Sequence, residues 1–158
     1  MNKEYDEFMR EAIRLSVANV EEGKGGPFGA VVVMDGKIIA RGVNQVTSSN
    51  DPTAHAEVVA IRKACQILNR FQLDGCEIYT SCEPCPMCLG AIYWARPDKL
   101  FYANTKEDAA KIQFDDQFIY EELKKPVEAR KLFTRQILRE EALEAYEKWS
   151  ESTIKKEY

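Results

Sequence analysis

His55-Ala56-Glu57 and Pro84-Cys85-Pro86-Met87-Cys88 carry the residue types from which a reactive metal centre is built. Cys85 and Cys88 stand at i and i+3, so on one helical turn both sulfurs reach a single ion. In a first turn they meet unpaired N–H groups and the positive end of the helix dipole, which favour thiolates. Two thiolates neutralise a zinc ion, a neutral imidazole makes a third ligand, and the fourth tetrahedral position is left to water. The metal lowers the pKa of that water from about 15.7 to about 7, giving hydroxide at neutral pH. Glu57 is then the group that moves protons. Residues i and i+2 of a regular helix point apart, so Glu57 shares a site with His55 only if the ion sits near the helix end. His55 is the single histidine of the chain. Three-histidine zinc sites, paired-histidine helix motifs and two-histidine iron triads are therefore excluded.

Each of these residues has a plainer reading. A lone histidine is ordinarily a core or capping residue. Cys82 precedes Cys85 by one C-x-x-C step, and three thiolates with His55 would form a closed structural zinc site with no enzyme at all. Because Cys82 lies ahead of Pro84, at a strand end, it need not share the helical face of the other two. A thiol nucleophile paired with His55 is a third arrangement of the same residues. Cys65 and Cys76 read as buried apolar thiols, and Tyr93 and Trp94 as packing or dimer contacts.

The elements that must position this chemistry follow from periodicity. Residues 4–21 place Tyr5, Phe8, Met9, Ala12, Ile13 and Val20 at helical spacing, stopped by Gly23. Ala30 to Met34 and Lys37 to Arg41 flank Asp35-Gly36, a strong hairpin turn. Asp51-Pro52-Thr53 is a turn that signals the start of a helix running from Ala54 to Leu68. A strand at Glu77 to Ser81, a helix from about Cys85 to Ala95 and a strand at Lys99 to Tyr102 come next. Residues 116–124 read as a short helix, Leu132 to Leu138 as a last strand, and 140–149 as a helix. This order predicts a single-domain three-layer α/β/α sandwich with a mixed five-stranded sheet: one antiparallel hairpin, then parallel crossovers.

Composition sets the surroundings. A chain of 158 residues buries about 68–70% of its unfolded surface and needs no disulfide staples. Five cysteines, three of them crowded into residues 82–88, fit reduced thiols bound to metal, which makes a cytoplasmic location the expectation. A net charge of −4 gives no sign of the basic face expected of a nucleic-acid binder. The longest apolar run, Ala30 to Met34, is far too short to span a bilayer.

The H-x-E and P-C-x-x-C pair resembles the signature of the zinc deaminases that act on bases. Four longer segments extend the likeness: residues 25–30 (GGPFGA), 49–57 (SNDPTAHAE), 80–88 (TSCEPCPMC) and 114–116 (FDD). With the terminal Lys155-Lys156-Glu157-Tyr158, they resemble the bacterial guanine deaminases of the cytidine deaminase-like superfamily. The zinc motif is shared with cytosine, cytidine and tRNA adenosine deaminases, and only the FDD segment and the tail favour guanine. Residues 121–154 carry no matching motif.

The resemblance implies one Zn²⁺ per subunit held by His55, Cys85 and Cys88, and hydrolysis of guanine to xanthine and ammonia. Zinc-bound hydroxide attacks C2 while Glu57 shuttles protons to the ring nitrogen and then to the leaving amine. It further implies that Phe28 stacks on the purine and that Asn44 and Asp116 hydrogen-bond its polar edge. Without the family, Phe28 reads equally well as core, Asn44 as a strand-end residue and Asp116 as a helix N-cap. Tyr158, otherwise a frayed terminus, would close the pocket with the segment 139–158, exchanged between the subunits of a homodimer. Glu83 is a candidate second proton relay. The expected partner is a small purine base, with neither nucleic acid nor membrane. The alternatives left open are guanosine, cytosine or tRNA adenosine as substrate.

Overall fold

The structure is a computed structural model that describes residues 3–158, with side chains from Tyr5 onward. Two compact units divide the chain, Met1–Asp116 and Gln117–Tyr158.

The first unit opens with α1 (Lys3–Glu21), followed by the hairpin β1 (Gly29–Met34) and β2 (Lys37–Val43). Asp35 and Gly36 both have positive φ, 50° and 69°, the geometry that matches a tight turn to the twist of its strands. After a short α2 (Val46–Ser49), helix α3 (Ala56–Leu68) leads to β3 (Cys76–Cys82), then α4 (Pro86–Ala95), β4 (Lys99–Asn104) and α5 (Lys106–Lys111). Sheet order is β2-β1-β3-β4. β1 is antiparallel to both β2 and β3, and β3 and β4 are parallel.

Strand alternation splits the core between two faces. Ala30, Val32 and Ile78 point to one side, against Ala56, Ala60 and Ala64 of α3 and Ile92 of α4. Val31, Val33 and Tyr79 point to the other, where Ala12 and the rings of Tyr5 and Phe8 from α1 cover them. Helices thus lie on both faces of the sheet, in three layers as expected. Gly42 lets α3 approach closely: a Cβ there would run into the Ala56 carbonyl oxygen and come within 2.6 Å of the Ala60 nitrogen. The start of α3 is thereby pressed onto the end of β2.

One expectation needs correction. Among the described residues the sheet has four strands, not five. The segment Leu132 to Leu138 has no ladder partner and leaves Leu132, Phe133 and Ile137 exposed. An alternating apolar run is only a candidate strand until a neighbour pairs its backbone, and Leu138, in the left-handed region at φ 51°, stands as the N-cap of the next helix. The parallel crossovers expected after the hairpin are present. β2 and β3 run in the same direction but lie on either side of β1, so only β3 and β4 form an adjacent parallel pair. Helices α2 and α5 were not anticipated. The second of them had a signal, because Thr105 and Asp108 form a capping box.

The second unit contains α6 (Gln117–Lys124), a 3₁₀ turn (Val127–Ala129) and α7 (Arg139–Glu151). The Glu122 carboxylate of α6 accepts from the Lys125 ammonium and, beyond the 3₁₀ turn, from the Lys131 N–H at 2.7 Å. No residue of α6 or α7 is buried.

Candidate metal centre

His55 precedes α3 as its N-cap, with extended backbone (φ −71°, ψ 156°). That conformation removes the i, i+2 difficulty, since His55 is not helical while Glu57 lies in the first turn. The Asp51 turn is separate from the helix start: Asp51 Oδ1 accepts from the Thr53 N–H and hydroxyl, and the helix begins three residues later. Cys85 is likewise the N-cap of α4, with Pro86 in the first turn, where a missing N–H costs nothing. Its sulfur accepts from the Cys88 N–H at 3.5 Å. Cys85 and Cys88 are thus related as a cap and the position it caps, and two helix N-termini converge on one point.

His55 Nδ1 lies 3.6 Å from the Cys85 sulfur and 3.5 Å from the Cys88 sulfur, and all three ligand atoms fall within 4.8 Å of one another. Tetrahedral zinc with Zn–S of about 2.3 Å and Zn–N of about 2.0–2.1 Å requires S and N to stand about 3.6 Å apart. The donor set and its spacing fit one Zn²⁺. It is also the only such cluster among the described residues.

The electrostatics agree. Contact with Cys88, then with His55 and the Cys88 N–H, brings the Cys85 thiol down to about 4, against the opposing effect of burial. Cys88 moves upward, chiefly because it donates to that thiolate and also because it is buried. Contact with Cys85 raises His55. The three groups share protons that a divalent cation displaces. Cys82 behaves differently: burial, and secondarily the charge of Glu57, pushes it up to about 11, and its thiol donates to the Thr105 carbonyl at 3.6 Å. It is not a member of the ligand cluster, so the group is an open three-ligand set, not a closed Cys₃His site.

Glu57 is buried, and its Oε1 accepts from the Thr80 hydroxyl at 3.1 Å. Burial raises its pKa. Thr80 had no sequence signal of its own; it reaches Glu57 because β3 alternation turns it, with Ile78, toward α3. Phe28 leads into β1 and meets Phe114 edge-on, ring centroids 4.9 Å apart at 86°. Asn44 is buried at the end of β2, its N–H donating to the Phe28 carbonyl at 3.1 Å and its Oδ1 accepting from the Val46 N–H. Asp116, half-buried, is raised by burial and by the Cys85 thiolate, and its charge acts in turn on His55 and Cys82. Glu83 accepts the Lys106 N–H at 3.2 Å and donates its own N–H to the Asn104 carbonyl, tying β4 to α5. Tyr158 is exposed, in the second unit.

Residues 2–104 match the cytidine and deoxycytidylate deaminase zinc-binding region. The chain belongs to the cytidine deaminase-like zinc deaminases. Among family members, it is 56% identical to the guanine deaminase of Bacillus subtilis (strain 168) over 98% of this chain and 99% of that protein. A crystal structure of guanine deaminase from Bacillus subtilis superposes with a TM-score of 0.96, at 56% identity over 100% of this chain and 99% of that one. Similarity to the tRNA-specific adenosine deaminase of Aquifex aeolicus (strain VF5) is 43% identity over 65% of this chain and 66% of that protein. The protein is a zinc-dependent deaminase of this family with a mixed α/β fold.

Proposed function

We propose that the protein hydrolyses guanine to xanthine and ammonia. The reach of the similarity carries this reading. The tRNA adenosine deaminase match covers about the length of the zinc domain alone, whereas the guanine deaminase match continues through the second unit. When bound, zinc supplies an acidified water as the nucleophile.

The remaining roles fall to this chain's own side chains. His55, Cys85 and Cys88 hold the ion. Glu57 takes one proton of the nucleophilic water and gives it to the ring nitrogen beside C2, then takes the second from the hydroxyl added at C2 and gives it to the amine as the C2–N bond breaks. Its buried position supports that task, because a raised carboxyl pKa lies closer to the working pH. Phe28 stacks on the purine face. Asn44 retains an amide donor for its edge, and the Asp116 carboxylate accepts from the N–H groups that distinguish guanine, whose unpaired burial would cost about 1–3 kcal/mol each. Glu83 serves as a second relay through the carboxylate oxygen not engaged by Lys106.

Residues 1–158 act as one deaminase domain, with 139–158 closing the active site through Tyr158. The exposed apolar side chains of the second unit, Phe133, Tyr146 and Ile154 among them, support its exchange between the subunits of a homodimer. Free cysteines throughout support a cytoplasmic, reducing setting in purine metabolism. No described helix is long and apolar enough to cross a membrane.

Ammonia release measured across guanine, guanosine, adenine, cytosine and cytidine tests the substrate. Turnover of guanine is expected; turnover of another member without guanine overturns the reading. Binding to tRNA that weakens steeply with salt would instead favour a polynucleotide substrate.

A further inference from the structure

Asn19, in the last turn of α1, is a buried amide far in sequence from every residue of the metal centre. Its Nδ2 donates twice, to the Gly26 carbonyl at 2.8 Å and to the Asn44 carbonyl at 3.0 Å. Two carbonyl partners fix the orientation of the amide, because only its nitrogen donates. The Oδ1 meets no donor among the described residues. Leaving a buried acceptor unpaired is unfavourable, so core packing by itself does not select asparagine here; the paired donor does.

The two carbonyls belong to the segments that carry Phe28 and Asn44. Around them the backbone closes further: the Phe28 N–H donates to the Gly26 carbonyl at 2.8 Å, and the Asn44 N–H to the Phe28 carbonyl at 3.1 Å. Gly25 lies so close that an added Cβ would meet the Asn44 carbonyl oxygen, and it would stand 3.0 Å from Asn19 Nδ2. On the far side, the Gly29 N–H donates to the Ser81 hydroxyl at 3.0 Å, beside the strand that holds Thr80. The loop before β1 and the end of β2 are therefore joined through one side chain.

We propose that Asn19 is a positioning residue that sets the spacing between Phe28 and Asn44, and so shapes the purine-binding half of the active site. The inference rests on the reading of those two residues as the purine contacts. It assigns to α1, on the opposite face of the sheet from α3 and α4, a direct hold on substrate recognition. Groups that bind the ring away from the reacting carbon act alike on ground and transition states, so their misplacement raises KM and leaves kcat nearly alone.

The test uses the zinc-loaded full chain with Asn19→Leu, which keeps the branched outline and removes the donor, and Asn19→Ser, which keeps a single donor. Guanine KM is expected to rise about tenfold in Asn19→Leu, the effect of a binding constant reduced to a tenth, with kcat within about threefold and zinc content unchanged. Asn19→Ser should fall between it and the wild type. Amide hydrogen exchange at Phe28 and Asn44 provides a readout that needs no substrate and is expected to quicken in both variants. Unchanged exchange in Asn19→Leu overturns the clamp, whatever the substrate proves to be. Faster exchange with unchanged KM, or a fall in kcat and zinc content that follows a lowered melting temperature, overturns the positioning role. Failure of the wild-type protein to act on guanine defeats the substrate reading separately, and the exchange result still judges the clamp.

Discussion

Glu57 and Cys82 show how two buried groups near one metal set acquire different work. Glu57 sits in the first turn of α3 with its carboxyl against the Thr80 hydroxyl and near Cys88. Cys82 donates a hydrogen bond to the Thr105 carbonyl and is held as a thiol by burial. Glu57→Gln preserves shape but cannot carry protons, and kcat for guanine is expected to fall about 10²- to 10⁴-fold with zinc retained by metal analysis. Cys82→Ser should also retain one zinc per chain, while Cys85→Ser should lose it. Zinc lost from Cys82→Ser would remove the distinction between ligand and neighbour on which the open site depends.

At the level of elements, α1 is fastened to the sheet by charge as well as by its apolar stripe. The Glu11 carboxylate accepts from Arg14 on its own helix and from Arg41 on β2, each Nε at 2.7 Å. The Arg14 contact, with that of Arg41, brings Glu11 down to about 2 against the opposing effect of burial. An unfolded glutamate titrates near 4.3, so between about 4.3 and 2 the unfolded chain binds a proton that the folded chain does not. The contribution of Glu11 to stability is thus complete above that window and lost as the pH falls through it. Urea unfolding should show Glu11→Gln less stable than wild type at pH 7, with the difference shrinking toward pH 2. A difference independent of pH would mean that the ion pairs do not hold α1 to β2. The same helix reaches the loop before β1 through Asn19, which donates to the Gly26 and Asn44 carbonyls beside the proposed purine contacts.

For the whole molecule, the proposed roles of the second unit can be separated from the fold of the first. All the sheet and the metal ligands lie before Gln117. Removal of Tyr158 alone is expected to lower guanine turnover at least about tenfold, the loss typical of a misplaced closing contact, without changing the melting temperature or zinc content. Unchanged turnover would refute a closing role for the C-terminus. Complete zinc removal by a chelator should abolish activity, and zinc should restore it; activity that survives would return the cysteines to consideration as nucleophiles. Sedimentation should give a dimer if the C-terminal segment is exchanged, and a monomer excludes exchange.

His55, Cys85 and Cys88 were legible as ligands because their chemistry is carried by short local patterns and by residue types with few other uses. The hairpin was legible for a similar reason: Asp35-Gly36 meets the turn's need for positive φ. Whether His55 and Glu57 share a site was not, since it depended on an extended N-cap that no spacing rule supplies. Leu132 to Leu138 misled because a strand is a relation between two backbones, and an apolar run states only one side of it. Asn19 and Thr80 stayed hidden for the same reason, as the Asn44 and Glu57 they reach lie 25 and 23 residues away. Local covalent order determined the donors, the turn and most helix boundaries. Packing determined which of them meet, because short-range contacts between distant segments arise only when the sheet brings those segments together.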